Sequence, residues 1–326
     1  VQREFIPIAL TGQDVWVTAP TGSGKTVAYA LPLIEKLTRS KPQATAGYIS
    51  RRLQTLVLVP TRELAIQVGQ TMMSLSAHLG KACKVTVVFG GVSINPQMMG
   101  LRGGTDILIA TPGRLLDLFE HNALKLSEVK TLVLDEADKL LELGFQEELS
   151  RILASLPSTR QNLFLSATRP KSIESLAQSL LNNPHEIRIE SATPQPAVID
   201  QRAIYTDTSK RTQLLKYLIK AHQLKQVLVF AATQHACEIV AVKLRVAGIA
   251  AEPFHGQLSQ GKREQVLADF KAQRVKVVLA TDLASRGLDI EKLPTVVNYD
   301  LPRSAVDYTH RIGRTGRAGE PGLAIS

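Results

Sequence analysis

The sequence has few of the residues that mark several protein classes. Only two of its 326 residues are cysteines, Cys83 and Cys237, so a disulfide framework is excluded and a cysteine-based zinc site is unsupported. That scarcity favours a reducing intracellular setting, the cytoplasm first, with both thiols as small core residues. No apolar run is long enough to cross a bilayer, and no segment resembles a secretory leader.

Aromatic residues are also scarce, at 5% of the chain. A platform of stacked aromatic side chains, of the kind that binds unpaired bases, is therefore not indicated, and Phe89 and Phe254 are expected to be packing residues. Positive charge, in contrast, is in excess. The net charge is +10, of which residues 1–193 contribute +3 and residues 194–326 contribute +7. This excess suits a polyanionic partner, although a solvated basic surface explains it equally well.

Short β-branched runs alternate with helical patterns along the chain, which predicts an α/β fold with buried parallel strands. The expected strands are 14–18, 56–59, 84–89, 106–109, 131–134, 162–165, 227–230, 275–279 and 295–298. One expected helix, at 171–181, repeats apolar residues at three- and four-residue spacing, as a helix with one buried face does.

The two halves of the sequence echo each other, which indicates two copies of one α/β unit. The matching stretches, in the same order, are 56–68 with 227–240 and 107–115 with 277–288. A segment rich in proline and small polar residues, 191–197, is typical of a linker. We therefore expect domains at 1–190 and 198–326, with ligands beyond the carboxyl ends of their strands.

A phosphate-binding loop is predicted by APTGSGKT at 19–26, between an expected strand and an expected helix. Its two glycines allow backbone amides to point at phosphate oxygens, aided by the helix amino terminus. Lys25 is expected to reach the β- and γ-phosphates, and Thr26 to ligate Mg²⁺. Ala19 stands where the strict pattern has glycine, and an ordinary glycine loop is the alternative interpretation.

Two further motifs carry charges suited to phosphoryl transfer. DEAD at 135–138 ends a buried strand, where carboxylates are unfavourable unless they are used. Asp135 is therefore expected to hold Mg²⁺ through water, and Glu136 to activate the attacking water. HRIGRTGR at 310–317 offers three arginines, and its glycines favour a loop over a solvated helix. Arg314 and Arg317 are the candidates for stabilising the charge that develops during the transfer.

Together these motifs resemble those of the DEAD-box RNA helicases of superfamily 2, over nearly the whole chain and in that family's order. The others are Gln2 with the residues after it, PTRELA (60–65), Gly90–Gly91, TPGR (111–114), SAT (166–168), VLVFAAT (227–233), His255–Gly256 with Gln260 and Arg263, and ATDLASRGLD (280–289). The resemblance implies two tandem RecA-like domains and an enzyme that hydrolyses ATP to unwind short RNA duplexes or remodel RNA–protein complexes. It also implies sequence-independent contacts to the RNA backbone, which leave the choice of RNA open.

The resemblance implies a role for each matching residue. Those expected to bind ATP are Gln2, which would read adenine, with Ala19, Thr21, Gly22, Ser23, Gly24, Lys25, Thr26, Gly287 and Asp289. Those expected to couple hydrolysis to RNA separation are Asp138, Ser166, Thr168 and His310. Those expected to grip the RNA backbone are Arg62, Gly91, Thr111, Arg114, Gln260, Arg263 and Thr281.

Alternatives remain at this point. A DNA helicase of a related family would be expected to carry a different second motif, and a small-molecule kinase would not explain the second half. The presence of Lys25, Glu136, Arg314 and Arg317 disfavours an RNA clamp that binds ATP without turning it over, although one enzyme can both clamp and unwind. The family's aromatic residue ahead of Gln2 and its final helix are absent from this sequence, so we expect a fragment whose missing tails contact partner proteins. The core itself is expected to be monomeric.

Overall fold

The structure, a computed structural model, describes residues 1–20, 22–39, 51–78, 83–189, 199–285, 293–316 and 321–326. The chain divides into two compact units, Val1–Ala192 and Thr193–Ser326. The linker expected at 191–197 lies outside the described residues. The same is true of four of the expected site residues, which are Thr21, Gly287, Asp289 and Arg317.

The first unit is a seven-stranded sheet in which neighbouring strands run parallel, in the order β3-β4-β2-β5-β6-β1-β7. Its strands are β1 Val15–Thr18, β2 Thr55–Leu58, β3 Val85–Val88, β4 Ile107–Ala110, β5 Thr131–Leu134, β6 Gln161–Ser166 and β7 His185–Arg188. Its helices are α1 Gln2–Thr11, α2 Lys25–Arg39, α3 Arg62–His78, α4 Ile94–Leu101, α5 Pro112–Glu120, α6 Ala137–Glu142, α7 Gln146–Ala154 and α8 Lys171–Leu180.

The second unit is a six-stranded parallel sheet in the order β10-β11-β9-β12-β13-β8. Its strands are β8 Ile199–Arg202, β9 Val227–Phe230, β10 Ala251–Phe254, β11 Val277–Ala280, β12 Thr295–Asn298 and β13 Gly322–Ile325. Its helices are α9 Arg211–Ala221, α10 Gln234–Val246, α11 Gln260–Lys271, α12 Asp282–Ser285 and α13 Ala305–Ile312, with a 3₁₀ turn at Thr208–Lys210.

The two sheets share one topology. Numbered from the start of its own unit, each reads third, fourth, second, fifth, sixth, first, and β7 is an extra edge strand of the first sheet. β2 and β9 hold the same position, as do β4 and β11, and these are the strands whose sequences echo each other. The prediction of two copies of one α/β unit is confirmed.

Both faces of each sheet are buried. In β1, Val15 and Val17 pack into one apolar cluster, whereas Trp16 between them packs into a second cluster on the other face. In β9, Val227 and Val229 alternate with Leu228 in the same way. Covered faces of this kind explain why the strands read as nearly continuous apolar runs instead of alternating polar and apolar residues.

The sequence predicted every strand of the first sheet except β7, and half of the strands of the second. Strands at 131–134, 227–230 and 295–298 are as predicted, and the other expected strands are shifted by one or two residues at one or both ends. β7, β8, β10 and β13 were not predicted. β7 and β8 are polar and largely exposed at sheet edges, and β10 contains a proline, so these three lack the apolar pattern of a covered strand, whereas β13 is a short apolar strand inside its sheet.

The predictions that the cysteines and two phenylalanines pack in the core are largely confirmed. Cys237 is fully buried in α10, and burial raises the pKa of its thiol to about 12, as for an inert core residue. Cys83 is only partly buried, with its Sγ atom 2.9 Å from the Ser76 Oγ atom. Phe254 is fully buried and Phe89 packs against the core, as expected. Within the described ranges, no helix combines the length and apolarity that a membrane span requires.

Candidate functional site

The loop after β1 has the backbone geometry of an anion-binding loop. Gly22 and Gly24 have φ of +76° and +81°, a region in which residues with a Cβ atom are strained. Helix α2 begins at Lys25, whose ammonium donates hydrogen bonds to the carbonyl oxygens of Ala19 at 2.7 Å and Pro20 at 2.9 Å. The loop therefore surrounds the Lys25 ammonium at the amino terminus of α2. Both this positive charge and the helix terminus favour the binding of an anion here.

Two further groups lie at this loop. The Ser23 hydroxyl oxygen is buried and has no hydrogen-bond partner among the described residues. A phosphate oxygen would satisfy it, since buried hydroxyl groups are rarely left without a partner. The Gln2 amide nitrogen lies 3.5 Å from the Gly24 carbonyl oxygen, and a Cβ atom at Gly24 would come within 2.7 Å of it. The first residue of α1 thus lies directly against the loop.

Lys25 is held largely out of water, at 7% exposure. Burial lowers the pKa of its ammonium, and the nearby carboxylates of Asp135, Glu136 and Asp138 oppose this shift. Charges interact more strongly in such a desolvated setting than at the surface. Lys25 therefore links the phosphate-type loop after β1 to the carboxylates that follow β5.

Asp135 is the most buried of these carboxylates, at 2% exposure. Its Oδ2 atom accepts a hydrogen bond from the Tyr29 hydroxyl at 2.8 Å, and its Oδ1 atom accepts one from the Glu136 amide at 2.9 Å. Burial raises the pKa of the carboxyl to about 6, and repulsion from Glu136 adds to the shift, while Lys25 and Tyr29 oppose it. A bound cation would offset both causes of the rise.

Glu136 has a left-handed backbone, with φ of 51° and ψ of 50°. This conformation costs a residue with a Cβ atom about 1–2 kcal/mol, and strain of this kind is typical of functional positions. The carboxylate forms an ion pair with Lys139 at 2.7 Å and remains partly exposed. Glu136 is thus a carboxylate in contact with solvent beside the buried Asp135.

Asp138 connects the end of β5 to the end of β6. Its Oδ2 atom accepts hydrogen bonds from the amides of Ala167 at 3.2 Å and Thr168 at 3.0 Å, and from the Thr168 hydroxyl at 2.9 Å. The Ser166 hydroxyl donates to the Thr168 carbonyl at 2.7 Å, and the Ser166 carbonyl accepts from the Ala19 amide at 3.1 Å. The three motif segments are therefore joined by hydrogen bonds.

The oxygen atoms here fit a nucleotide-bound Mg²⁺ ion. Among the described residues there is no group of three or more His, Cys, Asp or Glu side chains that could hold a metal alone. Mg²⁺ commonly takes one or two protein oxygens and completes its shell with phosphate and water. Asp135 offers such an oxygen, and Thr26 in the first turn of α2 carries a second at the same loop.

A second polar cluster lies at the carboxyl ends of β2, β3 and β4. A Cβ atom at Gly91, whose φ is +78°, would lie only 2.5 Å from the Arg62 Nη1 atom. The Thr111 hydroxyl accepts a hydrogen bond from the Gly90 amide at 3.3 Å. Arg62, Gly91 and Thr111 therefore lie near one another, and a side chain at Gly91 would strain the backbone and displace the Arg62 guanidinium.

Arg114 in α5 belongs to the same cluster but is only 7% exposed. Its Nη2 atom donates to the Val92 carbonyl oxygen at 2.7 Å, and its Nε atom lies 3.5 Å from a carboxylate oxygen of Asp117. The Nη1 atom is buried and has no hydrogen-bond partner within the described part of the chain. Arg114 thus binds the backbone at Val92, next to Gly91, and its Nη1 donor is left without a partner among the described residues.

The two clusters occupy different parts of one sheet. The first cluster consists of the glycine loop, the DEAD motif and the SAT motif, which follow the neighbouring strands β1, β5 and β6. The second cluster follows β2, β3 and β4, which are also neighbours. Both clusters are at carboxyl ends, as predicted for ligand sites in sheets of this type.

The second unit gives its expected RNA-binding residues unequal positions. Thr281 follows β11 and is half-buried, and Gln260 begins α11. Arg263 is only 3% exposed: its Nη1 atom donates to the His255 carbonyl oxygen at 3.2 Å, and its guanidinium lies 4.5 Å from the centre of the Phe254 ring. The role of Arg263 in RNA binding stays a prediction, and the contacts described for it are with its own unit.

Arg311 and Arg314, in the arginine motif in and after α13, differ in burial. Arg311 is 3% exposed and makes two hydrogen bonds to Asp282, at 2.6 and 2.7 Å, and another to Asn298 at 3.1 Å. Arg314 is half-buried in the turn after the helix, and His310 is exposed on its last turn. Arg311 is thus a structural residue, whereas His310 and Arg314 lie nearer the surface.

Sequence reasoning missed Tyr29 and Arg311. Tyr29 follows Lys25 by four residues, a spacing that places both on one face of α2 and could have brought the hydroxyl to the site. Arg311 had no distinguishing signal, because its two neighbouring arginines share its motif and its charge. Only the position of Asp282, after a different strand, separates them.

A family model for DEAD/DEAH box helicases matches residues 1–176 of this chain. The chain belongs to the DEAD/DEAH box helicase family. A model for the helicase conserved C-terminal domain matches residues 209–319 of the second unit. The first model thus covers β1 to β6 with both clusters of the first unit, and the second covers β9 to β12 of the second unit.

Relatives in this helicase family are similar over the entire chain. The DEAD-box ATP-dependent RNA helicase CshA of Bacillus cereus is 38% identical over 325 residues, which cover 100% of this chain and 60% of the relative. The ATP-dependent RNA helicase CshA of Listeria monocytogenes is 39% identical over 326 residues, which cover 100% and 61%. This chain spans about three fifths of the length of these curated relatives.

Solved helicase structures show the same fold. Dbp5 of S. cerevisiae, bound to RNA and ADP BeF3, matches with a TM-score of 0.81 and 26% identity over 100% of this chain and 82% of that chain. A DEAD box protein from Methanococcus jannaschii matches with a TM-score of 0.52 and 37% identity over 99% and 84%. The two α/β units are accordingly the RecA-like units of a DEAD-box core.

Proposed function

We propose that this chain is the core of an ATP-dependent RNA helicase that hydrolyses ATP when RNA is bound. The observation that carries the proposal is the hydrogen-bonded path from Ala19 through Ser166 and Thr168 to Asp138. This path joins the phosphate-type loop to both acidic and hydroxyl motifs within one unit. The names of the relatives and the RNA bound to Dbp5 support RNA as the polymer.

ATP binding is assigned to the loop and its neighbours. Lys25 and Ser23 would bind phosphate oxygens, with the amides of the loop and the α2 amino terminus. Gln2, which already lies against Gly24, would read the adenine edge. Thr21, outside the described residues, completes this loop in the proposal.

Hydrolysis is assigned to the carboxylates after β5. Mg²⁺, held by Asp135 and Thr26, would supply positive charge at the phosphates. Glu136 would accept the proton of the attacking water, since it is the solvent-accessible carboxylate at the site. Asp138 would carry a change at the nucleotide to Ala167 and Thr168, from which it accepts three hydrogen bonds, and through Thr168 to the Ser166 hydroxyl.

RNA binding is assigned to the second cluster. Arg62, Thr111 and the Gly91 backbone would contact phosphate and sugar oxygens, while Arg114 fixes the loop that presents Gly91. Contacts of this kind bind without reading sequence. In the second unit, Gln260, Arg263 and Thr281 would extend the same grip, and Arg263 also holds the His255 backbone ahead of α11.

The second unit would complete the ATPase. We assign Arg314 and Arg317 to the charge that develops on the transferred phosphate, Gly287 and Asp289 to the nucleotide, and His310 to coupling. Domains at 1–190 and 198–326, joined at 191–197, would close when ATP and RNA are both bound. Each ligand would then strengthen binding of the other, because both favour the same closed state.

The cellular location and the assembly state are proposed from the family. The chain would act inside the cell, in the cytoplasm, as a monomeric core. Protein partners would be recruited by segments beyond these residues.

The deciding experiment is steady-state ATP hydrolysis with single-stranded RNA, with DNA of matched sequence, and with no nucleic acid. We expect stimulation by RNA alone, and its loss by a factor of at least about 100 in Glu136→Gln. Release of a strand from a short RNA duplex, measured in the same samples, should require both ATP and the intact glutamate.

Other outcomes would redirect the proposal. Equal stimulation by DNA would favour a DNA helicase. Tight binding of ATP and RNA without hydrolysis, in this chain and in one extended at both ends, would favour an RNA clamp.

A further inference from the structure

Helix α2 places an unassigned side chain inside the nucleotide site. Tyr29 is fully buried and donates a hydrogen bond from its hydroxyl to the Asp135 Oδ2 atom at 2.8 Å. The same hydroxyl interacts with the side chain of Thr26, one turn earlier on the helix. Tyr29 thus contacts both residues to which the proposed function assigns Mg²⁺.

The hydroxyl has a use beyond filling space. A phenylalanine would provide the same ring, whereas a buried hydroxyl is unfavourable unless it is hydrogen-bonded. A tyrosine hydroxyl is ordinarily protonated at neutral pH, and a carboxylate has no proton to give, so Tyr29 is the donor of this bond. Its acceptor is the oxygen of Asp135 that the Glu136 amide does not hold.

Together these two donors fix the orientation of the carboxylate. With one bond on each oxygen, the Asp135 side chain has little freedom to rotate about its terminal torsion. We propose that Tyr29 is a positioning residue that orients Asp135 and Thr26 for the Mg²⁺ ion of the bound nucleotide. This inference rests on the proposed function, and it adds a residue that does not touch the nucleotide. Hydrogen-bond partners of metal ligands commonly change metal affinity by 10–100-fold.

The test compares the Mg²⁺ dependence of the wild-type chain with that of Tyr29→Phe. Binding of a fluorescent ADP is followed while Mg²⁺ is titrated, and again in excess chelator. We expect the Mg²⁺ midpoint to rise by about tenfold in Tyr29→Phe, with metal-free ADP binding unchanged. The Mg²⁺ requirement of ATP hydrolysis should rise by the same factor, and kcat should recover at high Mg²⁺.

A matched control is available in the second unit. The Tyr299 hydroxyl also makes a side-chain hydrogen bond, at 2.9 Å to Thr212, so Tyr299→Phe removes an equivalent bond away from Asp135. This control should keep the wild-type Mg²⁺ midpoint. Melting curves of both variants, recorded without nucleotide, show that each is folded under the titration conditions.

The outcomes separate this inference from the proposed function. An unchanged Mg²⁺ midpoint in Tyr29→Phe, beside a wild type that binds Mg²⁺ and ADP, overturns the inference alone. Equal weakening with and without Mg²⁺ also overturns it, since Tyr29 would then support only the loop. A wild type without Mg²⁺-dependent ADP binding overturns both.

Discussion

The two units have one topology and use their buried polar groups differently. In the first unit, the buried Asp135 accepts a hydrogen bond from Tyr29, and the buried Asp138 accepts from Thr168 at the end of a neighbouring strand. In the second unit, the buried Arg263 and Arg311 donate hydrogen bonds to His255 and Asp282. These buried charges of the first unit are therefore carboxylates that accept hydrogen bonds, whereas those of the second are guanidinium groups that donate them.

This difference separates fold from function. β1 and β8 hold the same position in their sheets, yet only β1 is followed by a glycine-rich loop and a long helix. An identical strand order does not bring identical chemistry, because the chemistry depends on the residues at the strand ends. One strand order can therefore carry different side chains at the strand ends of its two copies.

The strongest test of the difference between the two units is to remove the Arg314 side chain. If it is one of the few catalytic groups of the second unit, Arg314→Ala should lower RNA-stimulated kcat by about 1,000-fold, as for other arginines that stabilise phosphoryl transfer. Thermal stability should change little, since the residue is half-buried in a turn. Stopped-assay ATP hydrolysis and a melting curve measure the two effects. A kcat within tenfold of wild type would remove Arg314 from the catalytic set.

Arg311 should show the opposite behaviour. Its replacement in Arg311→Met leaves Asp282 and Asn298 without their shared donor, so we expect a loss of about 3 kcal/mol in unfolding free energy. Urea unfolding followed by far-ultraviolet circular dichroism measures it. Arg311→Lys keeps the charge but not the paired geometry, so its unfolding free energy should lie between those of wild type and Arg311→Met. Wild-type stability in Arg311→Met would show that the second unit does not depend on this network.

A third prediction concerns the assembled site of the first unit. The folded-state pKa of Asp135, about 6, is raised from 3.8, so the ionised carboxylate opposes folding above pH 6. In protein free of nucleotide and metal, Asp135→Asn should therefore be more stable than wild type by about 3 kcal/mol at neutral pH. The gain should shrink as the pH falls from 6 towards 4, where the wild-type carboxyl is protonated.

Melting temperatures of the two proteins across this pH range provide the check. The exposed Asp207 serves as a control, and Asp207→Asn should show no such pH-dependent gain. A variant less stable than wild type at every pH would mean that the hydrogen bonds of Asp135 outweigh its burial.

The smallest expected effect is on RNA binding. Arg62→Ala should weaken binding by about tenfold for any RNA sequence and reduce the slope of log affinity against log salt by about 1. Arg52, which forms an exposed ion pair with Glu128 at 2.9 Å, is the matched control, and Arg52→Ala should leave both quantities unchanged. Fluorescence anisotropy at several salt concentrations measures them. Equal losses in both variants would mean that the second cluster is not a specific RNA surface.

Much of this architecture could be predicted because it depends on local patterns. Strands such as β5 and β9 are covered on both faces, so they appear in the sequence as apolar runs. The phosphate-type loop requires glycine at fixed positions, and Gly22 and Gly24 have a positive φ that favours glycine. Exposed edge strands such as β7 carry no such pattern, since only one neighbour and few buried side chains define them.

The roles of individual polar residues were harder to predict. Arg263, Arg311 and Arg314 are all arginines within motifs, but two are buried in the framework and one is not. Burial depends on packing between segments far apart in sequence, which motif spacing does not encode. Tyr29 was missed for the same reason, because its acceptor lies 106 residues away.

The single tryptophan gives the first unit a built-in optical label. Trp16 lies in β1, directly before the phosphate-type loop, and the guanidinium of Arg169 stacks 3.6 Å from the centre of its ring. Arg169 immediately follows the SAT segment, so a shift of that segment changes the charge above the indole. Emission selectively excited from tryptophan therefore arises in one unit alone, and ligand binding there can be followed without attaching a dye.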